Sequence, residues 1–213
     1  MIRVSPAPEP EDFADRVGQP GERVLMELRR DPAAPTRRGP RRKQLDPAIW
    51  ARVLPDLRRV YHRRCAYTAL FVFPEARDSV DHFKPKERFP ELAYTWGNYR
   101  YALLDANRIK GEDDVLDPFE VLDDWFTVNL DSFKVETTAL FPAERRALWR
   151  ATEKIVNAPM FCDGRRWRHE AYFGRAAAPG LPPVSIDLAR LELEAPMVAR
   201  ALRAKGLLRA EDL

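Results

Sequence analysis

The stretch Ser79-Val80-Asp81-His82-Phe83-Lys84-Pro85-Lys86 decides how the rest of this chain is interpreted. A short run with strand character ends in an acidic residue and a histidine, and a basic turn with a proline follows. Two later stretches complete it, Trp-Gly-Asn-Tyr-Arg at 96–100 and Leu-Asp-Ala-Asn-Arg-Ile-Lys-Gly at 104–111. Together they supply a histidine, a carboxylate, carboxamides and lysines at spacings that a catalytic site could use.

Local patterns predict the secondary structure around this stretch. The apolar residues 71–73 and the run 79–83 predict two strands of a hairpin, joined by a turn at 74–78. Residues 99–104 alternate in the manner of a further strand. Asp105 is a suitable N-cap for a short helix that runs to about Lys110, and Gly111 suits the end of that helix.

The flanking segments carry mostly helical patterns. Four prolines within residues 1–20 predict an extended arm, followed by a short helix at 21–30 and a Pro/Arg-rich loop at 31–40. Asp46 and Pro47 suit the N-cap and first position of a helix that continues to about Arg64. A hairpin is predicted at 125–136 and helices at 142–156, 187–193 and 196–205, whereas 162–173 could be helix or loop.

These elements predict an α+β protein in which a small ββα unit is surrounded by helices and an extra β-hairpin. We divide the chain into an extended arm with a short helix at 1–45, a core with a flanking helix and hairpin at 46–136, and a mostly helical region at 137–213 that packs on this core.

The composition is that of a soluble protein. Charged residues make up 32% of the 213 positions, and no apolar run approaches the roughly 18 residues of a membrane-spanning helix. The first residues lack a signal-peptide pattern, so we expect a cytoplasmic location and no membrane partner. Two cysteines, Cys65 and Cys162, are too few for a disulfide framework or a four-cysteine zinc site.

Positive charge is concentrated in the first third of the chain. Residues 1–64 contain 15 Lys and Arg against 9 Asp and Glu, a balance of +6, and the remainder has a balance of −3. The excess comes from Arg37, Arg38, Arg41, Arg42 and Lys43, and from Arg58, Arg59, Arg63 and Arg64. Such clusters neutralise phosphates, although a solvated basic loop would have the same composition. Their position just before the Asp-His pair favours nucleic acid as the partner.

Phosphodiester hydrolysis needs the residue types found here. A histidine can activate water because its unperturbed pKa lies near neutrality, which makes His82 the candidate base. Hard oxygen ligands suit Mg²⁺, and Asp81 supplies a carboxylate and Asn107 a carboxamide. Neighbouring strand residues point to opposite sides, so Asp81 and His82 would have separate surroundings.

The segment 65–111 resembles an HNH, or ββα-metal, endonuclease. The matching motifs, in the family's order and spacing, are Cys65-Ala66-Tyr67-Thr68, Asp81-His82, Pro85-Lys86, Trp96-Gly97-Asn98 and Asn107-Arg108-Ile109-Lys110-Gly111. This resemblance implies that 46–136 is a nuclease core. It also implies His82 as general base, Asp81 and Asn107 as ligands of Mg²⁺ or Mn²⁺, Asn98 as the residue that holds the His82 loop for catalysis, and phosphate contacts from Lys84, Lys86, Arg100 and Lys110.

The chain departs from the family pattern at its cysteines. Many family members bind a structural zinc through two Cys-x-x-Cys pairs, and here Thr68, Leu103 and Ala106 stand where three of those cysteines would be. Cys65 remains alone, so we expect no structural zinc. Packing of Tyr67, Phe71, Trp96 and Tyr101 would have to stabilise the unit instead.

A looser similarity extends beyond this segment. The residues Pro-Ala-Pro-Glu-Pro at 6–10 and Asp-Pro-Phe at 117–119 resemble bacterial HNH proteins of antiphage type, including the nuclease subunits of Septu and retron-linked systems. This similarity implies cleavage of DNA, or of RNA, in antiviral defence, with a partner ATPase of the SMC/ABC kind. Two alternatives stay open: a module that binds nucleic acid without cutting it, and an interaction subunit that works only when docked on the ATPase.

Overall fold

The structure, a computed structural model, describes residues 1–30, 45–177 and 182–212, and the backbone of the short strands at 35–36 and 39–42. The protein is of the mixed α+β class, with far more helix than strand. Its helices are α1 (Gln19–Arg30), α2 (Pro47–Trp50), α3 (Leu54–Val60), α4 (Leu104–Lys110), α5 (Arg146–Val156), α6 (Pro159–Tyr172), α7 (Leu188–Glu194) and α8 (Pro196–Ala204). Its strands are β1 (Pro35–Thr36), β2 (Gly39–Arg42), β3 (Asp78–His82), β4 (Tyr99–Leu103), β5 (Phe126–Val128) and β6 (Val135–Thr137).

A hairpin–helix unit is formed by β3, β4 and α4, residues 78–110. The strands β3 and β4 are antiparallel, with Asp81 opposite Arg100 and His82 opposite Tyr99. Helix α4 follows β4 without a loop. It ends at Gly111, whose φ of +52° lies in the left-handed region that glycine tolerates best.

The predicted partner of the β3 strand was wrong. Segment 64–72 folds back on itself instead, because Cys65 N–H donates to the Leu70 carbonyl at 2.9 Å and Val72 N–H donates to the Arg63 carbonyl at 2.7 Å. These local bonds use the backbone groups that a hairpin with β3 would have needed. The strand β4 lies 17 residues after β3 in sequence, so a short-range hairpin signal could not find it.

The start of α4 also differs from the prediction. Leu103, the last residue of β4, takes the N-cap position, and its side chain makes no capping bond. Asp105 lies inside the first turn, where it faces Arg108 at 3.6 Å. Because β4 and α4 are contiguous, the N-cap position falls on Leu103, two residues before Asp105.

Before β3, the chain contains more helical residues than predicted, and the predicted helix at 46–64 is interrupted. A π-helical turn at Ala14–Gly18 leads directly into α1, so the extended arm ends before residue 14 instead of residue 20. The π turn stops just before Pro20, whose missing N–H interrupts ordinary helical bonding. The helix predicted at 46–64 is divided into α2, a 3₁₀ turn at Ala51–Val53 and α3, with Pro55 at the start of α3. The Asp46 cap is confirmed, since its carboxylate accepts from Ala48 N–H at 2.9 Å.

The second half of the chain follows the predictions closely. Strands β5 and β6 form the expected hairpin, and its turn is held by the Asn129 side chain, which accepts from two backbone N–H groups. Residues 162–173 belong to α6 and its end. One hydrophobic cluster includes residues from all three predicted segments, among them Val17, Tyr101 and Leu202. The boundaries at 45 and 136 stay predictions.

No helix within the described ranges is long and apolar enough to cross a membrane. The Arg/Lys cluster at 37–43 lies outside the residues whose side chains the structure describes.

Candidate active site

Asp81, His82 and Asn107 line one cavity of about 200 Å³, called the His82 cavity below. The strand end supplies the first two residues, and α4 supplies the third. The rest of the wall consists of Trp50, Val80, Pro85, Lys86, Glu87 and Gly111. The sequence-predicted base and both predicted metal ligands are therefore brought together by the hairpin–helix unit.

His82 is held at one ring nitrogen, and none of the described residues bonds the other. Its Nε2 lies 2.9 Å from the Ala93 carbonyl oxygen, which can only accept, so Nε2 carries the proton and Nδ1 keeps its lone pair. Trp50 and Tyr99 contact the ring edge-to-face at centroid distances of 4.8 and 5.3 Å. Burial lowers the pKa of His82, although the Ala93 bond and Asp81 oppose this shift. The imidazole is therefore neutral at neutral pH.

Asp81 is almost completely buried, and protein groups bind both of its carboxylate oxygens. Its Oδ2 accepts from the Tyr67 hydroxyl at 2.5 Å, and its Oδ1 lies 3.2 Å from the Lys110 ammonium. The Lys110 ammonium also donates to the His82 carbonyl at 2.8 Å. Only 1% of the Lys110 side chain and 2% of the Asp81 side chain are exposed. Lys110 is thus a buried partner of Asp81, an arrangement that does not favour the predicted contact with phosphate, which stays a prediction.

Asn107 is held through its side-chain nitrogen. Its Nδ2 donates to Ser79 Oγ at 3.0 Å and to the Val80 carbonyl at 3.4 Å. Among the described residues, none donates to its Oδ1. A carboxamide fixed in this way has its acceptor available for a cation or a water molecule.

Asn98 fastens the turn that follows His82. Its Oδ1 accepts from Lys84 N–H at 2.7 Å, and its Nδ2 donates to the carbonyls of Lys84 and Leu92 at 3.0 and 3.2 Å. Its own carbonyl accepts from Phe83 N–H at 2.8 Å. These are the backbone contacts expected from the sequence. Asn98 acts on the position of His82 and does not line the cavity.

The remaining predicted phosphate contacts fall into two groups. Lys84 is exposed beside the Phe83 ring, and Lys86 lies at the cavity wall, paired with Glu87 at 2.5 Å. Arg100 is 3% exposed and binds both oxygens of Asp117, at 2.9 and 2.7 Å. Its charge is neutralised inside the protein, which does not favour the predicted contact of Arg100 with phosphate, and that contact stays a prediction.

The stabilising contacts around the cavity include two that sequence reasoning missed. Tyr67 was expected only to pack, yet its hydroxyl binds Asp81, and the Tyr101 hydroxyl binds Asp78 at 2.7 Å. The position of Lys110 beside the cavity residues could have been predicted, because it lies three residues after Asn107 and hence on the same face of α4. No comparable pattern connects Tyr67 with Asp81, which are 14 residues apart.

The oxygen atoms of Asp81 and Asn107 are of the type that binds a hard cation, but Asp81 is already paired with a lysine. Carboxylate and amide oxygens are the ligands that Mg²⁺ prefers, and Asp81 and Asn107 offer them at the same cavity. This lysine is Lys110, which already neutralises Asp81. Within the described residues, no group of three His, Cys, Asp or Glu side chains could hold a metal ion.

The residues that stand where many HNH proteins carry zinc ligands are buried or packed against the core. Cys65 is buried, and its sulfur lies 3.4 Å from Leu103 N–H, so these two positions are neighbours in space. Thr68 and Ala106 are buried as well. The expectation of no structural zinc stays a prediction.

Comparisons of the chain with protein-family models, curated proteins and solved structures found no match. The functional argument therefore depends on the geometry of the His82 cavity and on the sequence motifs that line it.

Proposed function

We propose that this protein is a metal-dependent endonuclease of the HNH type that hydrolyses phosphodiester bonds of DNA. The observation that carries the proposal is the state of His82. Its Nε2–H is bound to the Ala93 carbonyl, its Nδ1 is free, and burial keeps the ring neutral beside Asp81 and Asn107. A neutral, oriented imidazole in a polar cavity is what general-base catalysis requires.

In the proposed reaction, His82 Nδ1 takes a proton from the water molecule that attacks phosphorus. The resulting imidazolium is stabilised by the Ala93 carbonyl at Nε2–H and by the nearby Asp81 carboxylate. Lys86 lies at the wall of the His82 cavity and Lys84 is exposed in the same turn after β3, and both would contact the flanking phosphates. Asn98 keeps this segment in place through its bonds to the Lys84 backbone.

Asp81 and Asn107 would hold Mg²⁺ or Mn²⁺. Bound there, the cation would neutralise charge on the scissile phosphate and on the leaving oxygen. The ββα arrangement of the hairpin–helix unit supports this assignment, because β3 ends at the base and α4 carries the second ligand.

Cleavage of supercoiled plasmid DNA with Mg²⁺ tests the proposal. General-base catalysis contributes about 10²- to 10⁴-fold, so His82→Ala should cut at least about a hundred times more slowly than wild type. His169→Gln is the matched control, since His169 binds Glu170 and lies outside the cavity. Equal cutting rates for wild type and His82→Ala would show that His82 is not the base.

One observation favours the second candidate, a subunit that binds nucleic acid and is inactive until it docks on a partner ATPase. Both oxygens of Asp81 are engaged by Tyr67 and Lys110, which limits metal binding. If wild type binds DNA and does not cut it, then restoration of cutting by an SMC/ABC-type ATPase would support this candidate. Nicking by the isolated chain would exclude it. Either form is compatible with the role in antiphage defence that the sequence similarity implies.

A further inference from the structure

A second cavity lies between the N-terminal arm and the loop that follows α3. It has a volume of about 230 Å³ and shares no lining residue with the His82 cavity. We call it the Arg64 cavity. Its polar wall comes from Arg3, Ser5, His62 and Arg64, and apolar side chains such as Val4 and Val60 complete it.

Arg64 is the unusual member of this wall. Its side chain is half-buried, yet among the described residues it makes no hydrogen bond and no ion pair, and its Nε is buried without a partner. Two other arginines of the same segment are satisfied. Arg58 binds both oxygens of Asp78, and Arg63 Nε donates to the Val72 carbonyl. A buried guanidinium nitrogen without an acceptor is unfavourable unless a ligand or a water molecule satisfies it, and among the described residues Arg64 is the one of this kind that lines the cavity.

The charges around the cavity favour an anion. Asp123 is the acidic neighbour, and it is shared, because it accepts from Arg3 N–H at 2.6 Å and lies 3.8 Å from the Arg200 guanidinium. It also acts on Arg64, whose pKa is lowered by burial and partly restored by Asp123. One carboxylate therefore acts on the guanidinium groups of Arg64 and Arg200, and Arg3, which it binds through the backbone, adds its own charge to the wall, so positive charge is in excess at the cavity.

The backbone of the wall is strained as well. His62, Arg63 and Ala69 have φ values of 49°, 54° and 59°, in the left-handed region that non-glycine residues rarely adopt. Two of them are consecutive and lie directly before Arg64. Such conformations persist where surrounding structure enforces them, and they occur preferentially at ligand sites.

We propose that the Arg64 cavity binds a phosphate group, with Arg64 as the principal ligand and the side chains of Arg3, His62 and Ser5 as further contacts. A planar guanidinium binds phosphate with two parallel hydrogen bonds. The volume is below the roughly 300 Å³ at which pockets for drug-sized ligands begin, which favours a single phosphate group over a whole nucleotide. The source is either free phosphate or the terminal phosphate of a nucleic acid strand. This proposal does not depend on the nuclease assignment.

Isothermal titration calorimetry with three probes tests it: inorganic phosphate, a short oligonucleotide with a 5′-phosphate, and the same oligonucleotide with a 5′-hydroxyl. Loss of a charged hydrogen-bond partner costs enough to weaken binding by at least about tenfold, so Arg64→Gln should lose that much phosphate affinity. Arg59→Gln is the control, because the Arg59 side chain is 71% exposed and lies outside the cavity. It should bind phosphate as wild type does.

The probes also identify the source. Tighter binding of the 5′-phosphorylated strand than of the 5′-hydroxyl strand, lost in Arg64→Gln, would assign a strand end. Equal binding of both strands, together with Arg64-dependent binding of inorganic phosphate, would assign the free ion. Arg64→Lys covers the case in which Arg64→Gln does not fold, since it keeps the charge but loses the paired donors and should also bind phosphate more weakly. Absence of binding by wild type at millimolar concentrations, or wild-type affinity in both Arg64 variants, would overturn the proposal.

Discussion

Replacing Lys110 with methionine tests whether the His82 cavity is built on a buried ion pair. The Lys110 ammonium lies 3.2 Å from Asp81 and 2.8 Å from the His82 carbonyl, and both side chains of the pair are almost fully buried. Methionine fills a similar volume without the charge. It would leave the Asp81 carboxylate buried with the Tyr67 hydroxyl as its remaining hydrogen-bond partner.

The expected loss is large for a single substitution. Removing one member of a buried ion pair costs about 3–5 kcal/mol, because the other charge stays desolvated and uncompensated. Domains of this kind are stable by about 5–15 kcal/mol, so Lys110→Met should remove a substantial fraction of the total. The double variant Lys110→Met/Asp81→Asn has no buried charge at this place. It should therefore be more stable than Lys110→Met alone.

Urea unfolding followed by tryptophan fluorescence measures these differences, with Trp50 packed against His82 at 4.8 Å as a local reporter. Arg108→Met is the matched control on the same helix. The Arg108 and Asp105 side chains are 61% and 57% exposed, and such pairs contribute about 0.3–0.5 kcal/mol. A loss in Lys110→Met as small as in this control, or purely additive effects in the double variant, would refute the buried-pair argument.

Three further predictions concern the surroundings of the cavity. Asn98→Ala removes three hydrogen bonds between a buried side chain and the backbone, so it should lower the free energy of unfolding by about 2–4 kcal/mol and slow plasmid cleavage. Unchanged values in both assays would contradict the role of Asn98 in holding the turn after His82. Arg100→Met removes one member of a buried ion pair, so it should lower the free energy of unfolding in urea by about 3–5 kcal/mol. It should leave the salt dependence of DNA binding unchanged, whereas a smaller salt slope would show that Arg100 contacts phosphate. Burial raises the pKa of Asp78, but hydrogen bonds from Arg58 and Tyr101 bring it below its usual value. Its stabilisation is therefore complete above about pH 4 and is lost as the pH falls through the folded-state pKa, and Arg58→Met should flatten this acid limb of the stability curve.

Features with a local cause could be predicted from the sequence. The Asp46 cap, the helix end at Gly111 and the hairpin after Phe126 all depend on a few neighbouring residues. The contacts of Asn98 were found because the family motif places it a fixed distance from His82. Strand β3 was assigned the wrong partner, since it pairs with β4, which begins 17 residues after β3 ends, and no short turn in the sequence signals this pairing.

The charges of the site were the least predictable part. The resemblance to HNH endonucleases implied that Arg100 and Lys110 contact phosphate, and lysine and arginine are in any case rarely buried. Both are inside because each meets a carboxylate, Asp117 or Asp81, and additional backbone carbonyls. Which basic residue finds such a partner depends on the tertiary fold. The sequence therefore identifies the residues that form the cavity and leaves their charge balance undetermined.

That charge balance leads to an expectation about how the cavity binds its ligands. Lys110 compensates Asp81, and Lys86 compensates Glu87, while His82 is neutral. The cavity therefore attracts neither a free divalent cation nor a free phosphodiester strongly. A cation and a phosphodiester that bind together largely cancel each other's charge, so each should raise the affinity for the other, reciprocally and by the same factor. If Mg²⁺ affinity, measured by calorimetry, is the same with and without DNA, the two ligands do not share this cavity.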